Sequence, residues 1–161
     1  MTTSTAINYD SLTTQECKDA IDRIFASETI SNQDVLIAHY GVMNNLQLRD
    51  YLMGAPSVYS LEHCITTIAN IVNVCHANEL ESYAFNTVSA FFHYENGNKA
   101  QALTLISVAL ENDYSLAKLI ARVILGGAPY EIFASMRGEL HPKVVSNLAD
   151  TANDIANEEL R

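Results

Sequence analysis

The sequence predicts an all-α, single-domain bundle of about eight helices containing one tetratricopeptide-like hairpin. Three observations carry that prediction. Apolar residues recur at three- and four-residue spacing along most of the chain, and capping residues and glycines punctuate it at helix-length intervals. No stretch alternates with period two for long, and no Asn-Gly or Asp-Gly turn joins two strand-like runs. A chain of 161 residues with 48% hydrophobic content suits one domain with one core.

The elements follow in order. Residues 1–12 are rich in Thr and Ser and lack periodicity, so they are expected to form a flexible N-terminal arm, leaving 13–161 as the helical domain. Thr13 and Glu16 make a capping box, and Leu12 staples onto Cys17. Cys17, Ala20, Ile21, Ile24 and Phe25 then form one buried stripe. Ile30, Ser31, Asp34 and Val35 repeat the device for a helix running to about Met43. Leu46 to Met53 reads as a short helix closed by a C′ glycine, Gly54, with Pro56 as breaker. Leu61, Cys64, Ile65, Ile68, Ile71, Val72 and Cys75 mark a long helix opened by Ser57 or Ser60. Asn78 and Glu81 are expected to cap the next, which carries Leu80, Ala84, Val88 and Phe91 and stops at Gly97.

Asn98 opens a helix with Ala102, Leu105, Ile106, Ala109 and Leu110 inward. Ser115 opens another, holding Leu116, Leu119, Ile120, Val123 and Ile124 and closed by Gly126–Gly127. Pro129 and Pro142 sit where first-turn prolines belong. They predict a short helix to about Met136 and a separate final one carrying Val145, Leu148, Ala152 and Ile155.

Two resemblances support the helical reading. Ala90, Gly97, Ala102, Ile106 and Ala109 sit where the ~34-residue tetratricopeptide repeat places its small and apolar packing residues. Only one such unit is visible, so a repeat array is not expected. A longer likeness runs through Gly97-Asn98-Lys99-Ala100-Gln101-Ala102, Ala109-Leu110, Tyr114-Ser115-Leu116-Ala117-Lys118-Leu119 and Gly127-Ala128-Pro129, with Ser31 to Asp34 and Leu48-Arg49-Asp50 upstream. Across residues 20–136 the chain resembles the C-terminal helical half of the actinobacterial domain of unknown function 4192 family. Members often carry Trp where this chain has Phe91, Phe92 and His93, and their N-terminal α/β half has no counterpart here. The resemblance implies a freestanding helical half and an actinobacterial or actinophage source. It implies no activity.

Composition restricts function. Nine Lys and Arg stand against nineteen Asp and Glu, a net charge of −10. That opposes direct nucleic-acid binding, where cations neutralising phosphates supply most of the affinity. No apolar run approaches the ~20 residues that span a bilayer, so no membrane partner is expected. No basic and apolar leader opens the sequence. An odd count of three Cys fits thiols kept reduced, and a cytoplasmic location is expected.

The chemistry-bearing residues are sparse. His63-Cys64 and Cys75-His76 suggest zinc, but eleven residues along one helix separate the two Cys by about 16 Å, so both read as core. The five His lie in no recognised catalytic motif, and neither enzyme, metal nor cofactor is expected. Arg49-Asp50 is either a ligand clamp or an ion pair tying its helix to a neighbour. Lys118 and Arg122 stand one turn apart in residues 114–137, the only basic segment, as a solvated face or a docking strip. Tyr83, Asn86, Ala90 and His93 form a second stripe on their helix, combining aromatic area with polar groups that fix orientation. Tyr83, Asn86, His93 and Arg49 are the candidate binding residues.

These features predict a non-enzymatic helical protein-interaction module that binds a protein partner or a second copy of itself. The alternative is an acidic inhibitor or nucleic-acid mimic, phage-encoded, acting on a basic surface of a host protein.

Overall fold

The computed structural model describes residues 6–156, and among these residues it holds eight α-helices and no strand. They are α1 (Thr14–Ala26), α2 (Asn32–Asn44), α3 (Leu46–Met53), α4 (Leu61–Ala77), α5 (Tyr83–Glu95), α6 (Lys99–Leu110), α7 (Ser115–Leu125) and α8 (Ile132–Asp150). Several helix starts rest on side-chain caps that the sequence announces. Thr13, Ser31, Ser60 and Asn98 accept hydrogen bonds from the backbone N–H groups of Glu16, Asp34, His63 and Gln101.

The helices pack around α5. It forms a hairpin with α6, meets α4, and also touches α3, α7 and α8. Ala90, Ala102 and Ala109 are fully buried at the α5–α6 seam, where small side chains let the two axes approach. Gly97 turns the chain between them at φ +81°, the left-handed conformation that a side chain disfavours. The α1–α2 crossing is also close. A Cβ on Gly41 would lie 2.7 Å from Cys17 Cβ, so α2 can bear only glycine there.

Five expectations need correction. Residues 6–12 are seated rather than loose: Tyr9 packs on Tyr40 at 5.1 Å, and Leu12 is buried with its carbonyl accepting from Ala156 N–H at 3.1 Å. Residues 1–5 of the expected arm, and 157–161 of the expected domain, lie outside the described residues. Asn78 ends α4 instead of starting α5. The chain reverses through Glu79 at φ 57°, so α5 begins after Ser82. Gly54 closes α3 in an ordinary right-handed conformation, φ −83°, and runs directly into a 3-10 turn. Leu110 and Leu119 face outward, because Ala109, Ile120 and Ala121 take the inner positions of α6 and α7.

The fifth correction shapes the functional surface. Pro142 interrupts no helix, and α8 runs through it. Phe133 before the proline and Val144 and Leu148 after it all pack in the core, which anchors both halves of the helix. The carbonyl of Gly138 that Pro142 leaves without a donor lies on the exposed side, where water can satisfy it.

Candidate functional site: a groove between α3 and α8

α3 and α8 run antiparallel. At one end Arg137 Nε donates to the Met53 carbonyl at 3.2 Å and His141 lies over Gly54. At the other, Gln47 and Asn147 line the same depression. Gln47, Asp50 and Gly54 recur at helical spacing on α3, as Met136, Leu140 and Val144 do on α8, so each helix turns one face to the seam. Phe91 of α5 and Leu116 of α7 contribute its inner wall. The result is a groove of about 370 Å³, lined chiefly by apolar side chains. That volume lies in the range of ligand clefts formed between the helices of bundles. Met136 and Leu140 remain 39% and 49% exposed along it.

The ion pair beneath the groove is nearly dry. Arg137 and Glu95 side chains are only 8% and 13% exposed. Arg137 Nη1 donates to Glu95 Oε1 at 2.8 Å, Nη2 donates to Oε2, and the guanidinium sits 5.6 Å from the Phe91 ring centre. One side chain thus binds α8 to α5 through a carboxylate and to α3 through a backbone carbonyl. Asp50 is matched by Arg49, whose Nε and Nη2 donate to Oδ1 at 3.1 and 2.9 Å. His141 stacks on Tyr51 with ring centres 5.9 Å apart, and its Nδ1 is sealed without a partner against Gly54. Burial, with Arg137 nearby, holds the His141 pKa below its ordinary value, so the ring is neutral at pH 7. Gln47 Oε1 is likewise buried without a partner.

The residues singled out from sequence are arranged differently from the expectation. Tyr83 is half-buried and edge-on to Tyr114 at 5.1 Å. Asn86 is buried, 6% exposed, and donates to Ser82 Oγ at 3.2 Å. His93 is half-buried, and burial lowers its pKa. The stripe is therefore no exposed platform: α5 is the central helix, and its neighbours cover the polar groups that an outer helix would show. Arg49, 15% exposed, is spent on the adjacent Asp50 and lies beside Tyr114, which also meets Tyr83. Lys118 is engaged by Asp113. The groove residues Gln47, Met53, Met136, Leu140, Lys143 and Val144 were not anticipated. Their one legible signal was the i, i+4 series Met136, Leu140, Val144, which reading Pro142 as a helix start divides in two.

The other reactive groups have structural partners. His63 Nε2 donates to the Phe25 carbonyl at 2.8 Å, and His39 Nε2 to the Glu81 carbonyl at 2.7 Å. Burial pushes the Cys17 thiol up to about 12 and those of Cys64 and Cys75 to about 11, so all three stay protonated at neutral pH. Among the described residues no group of three His, Cys, Asp or Glu is placed to hold a metal ion. No described helix is long and apolar enough to cross a membrane. No protein-family model, curated protein or solved structure matches the chain.

Proposed function

We propose that the chain is a non-enzymatic helical interaction module whose working surface is the α3–α8 groove. One observation carries the reading. Large apolar side chains, Met136 and Leu140, stay exposed beside a preformed cleft whose floor is fixed by a buried ion pair. Exposed apolar surface grouped in a concavity favours association, whereas scattered apolar residues do not. The resemblance to the helical half of the actinobacterial family brings no activity with it, so the reading rests on this geometry. The test is site-specific photocrosslinking in native cells, with a photoreactive residue at position 140 and, as control, at exposed Glu62 on α4. A discrete adduct from position 140 alone is expected. Equal labelling from both positions would refute the groove as the working surface.

The alternative, an acidic mimic, draws on the net charge of −10. It predicts binding that weakens steeply with added salt, because exposed charges are screened over ~10 Å at 0.1 M. An apolar groove predicts a shallow dependence.

A further inference from the structure

The charged groups lining the groove cancel one another, with one exception. Arg137 is enclosed by Glu95 and the Met53 carbonyl, and Asp50 is matched by Arg49. His141 is neutral. Lys143 is different: it lines the groove, is exposed, and has no ion-pair partner among the described residues. It stands on α8 next to Val144 and one turn from Leu140, so its aliphatic stem borders the apolar wall while its ammonium stays in water. An occupant that buries apolar groups against Leu140 and Val144 brings its own polar groups up to that ammonium, and a carboxylate there gains a charge-assisted hydrogen bond.

The groove also sets a length. Its α3 face extends from Gln47 to Gly54, seven residues or about 10.5 Å. That is the span from i to i+7 on a docked helix, whose apolar anchors at i, i+3 or i+4, and i+7 face one way. The chain as a whole is strongly acidic, with a net charge of −10, so a partner segment rich in acids is repelled at long range. The complementary segment carries a single acid within an apolar stripe.

We propose, on the groove reading above, that the α3–α8 groove takes an amphipathic helix of a protein partner bearing one Asp or Glu beside its apolar anchors, the carboxylate pairing with Lys143. Lys143 then selects among apolar helices that the groove would otherwise accept alike.

The probe is a phage-displayed library of helical peptides randomised along one face, selected on the full chain. Winning peptides are synthesised and their affinities read by fluorescence anisotropy against wild type, Leu140→Arg and Lys143→Glu. Both positions are exposed, and circular dichroism checks that each variant keeps its helices. Winners with an Asp or Glu next to their anchors are expected. Their binding should vanish with Leu140→Arg and weaken about fivefold with Lys143→Glu. Changing the peptide acid to Lys should restore affinity for Lys143→Glu. Winners that need Leu140 but ignore Lys143→Glu would overturn the acid pairing and leave the groove reading standing. No winners, or winners indifferent to Leu140→Arg, would overturn both.

Discussion

α5 and α8 are built for opposite tasks. α5 buries ten of its thirteen residues, whereas α8 buries three of nineteen. In α5 even the polar side chains lie inside and find local partners: Thr87 Oγ1 donates to the Tyr83 carbonyl at 2.8 Å and Asn86 to Ser82. α8 touches the core through Phe133, Val144 and Leu148 and leaves Met136, Leu140 and Val145 exposed. Exposed apolar surface thus belongs to the peripheral helix, whose apolar residues exceed what the core covers. Rigidity belongs to the central one. The Arg137–Glu95 pair couples them, so the open groove is mounted on the most buried element of the fold.

The largest expected break in this contrast is Phe92→Ala. Phe92 is fully buried on α5, and its loss should cost about 4 kcal/mol in urea unfolding. Leu140→Ser on α8 should change stability by no more than about 0.5 kcal/mol. Similar losses for the two would erase the distinction.

Arg137→Ala comes next. Removing one member of a nearly dry pair strands the Glu95 carboxylate and should cost about 3 kcal/mol. Adding Glu95→Leu to Arg137→Met should recover most of it, measured by the same unfolding midpoints. A double variant as unstable as the single one would mean that Arg137 acts by packing on Phe91 instead.

Gly54→Ala tests the end of the seam. The new Cβ would fall 1.9 Å from His141 Nδ1, so the ring must leave its stack on Tyr51, at about 1–3 kcal/mol. In a His141→Ala background the same substitution should be nearly neutral, and a double-mutant cycle reads the difference.

The smallest effect is on pH. Burial holds His39, His93 and His141 below the ordinary value of 6.5. The unfolded chain therefore takes up protons near pH 6.5 that the folded chain resists until lower pH. Stability from these groups is complete above pH 6.5 and declines as pH falls below it. Urea midpoints at pH 7.5 and 5.5 should show the decline, and replacing the three His by Gln should flatten it.

Local signals were legible where they act locally. The side-chain N-caps at Thr13 and Ser31 and the short helix Leu46–Met53 could be read from a few neighbouring residues, because such a cap is a contact between residues three apart. The stripe Cys17, Ala20, Ile21, Ile24 and Phe25 is buried as expected. Errors arose where a residue had two local readings. Asn78 suits either helix end, and the left-handed Glu79 decided it. Pro142 suits a helix start, yet packing on both sides of it carried α8 through. The Tyr83, Asn86, His93 stripe is less exposed than expected for a related reason: two apolar stripes on α5 signal a helix covered on several sides, and the residues between them are partly or fully covered too.

The sequence by itself determined that this chain is helical, where most helices begin, and that its surface is acidic, since spacing, caps and charge are properties of short segments. Only the tertiary structure decided which apolar residues stay uncovered. Met136 and Leu140 carry the same helical signal as Val144, and nothing in their spacing separates wall from core. The separation comes from α3, which is eight residues long and meets α8 at Met53 and Gly54. So short a helix leaves much of its nineteen-residue neighbour open, and the groove forms between the two where they run side by side.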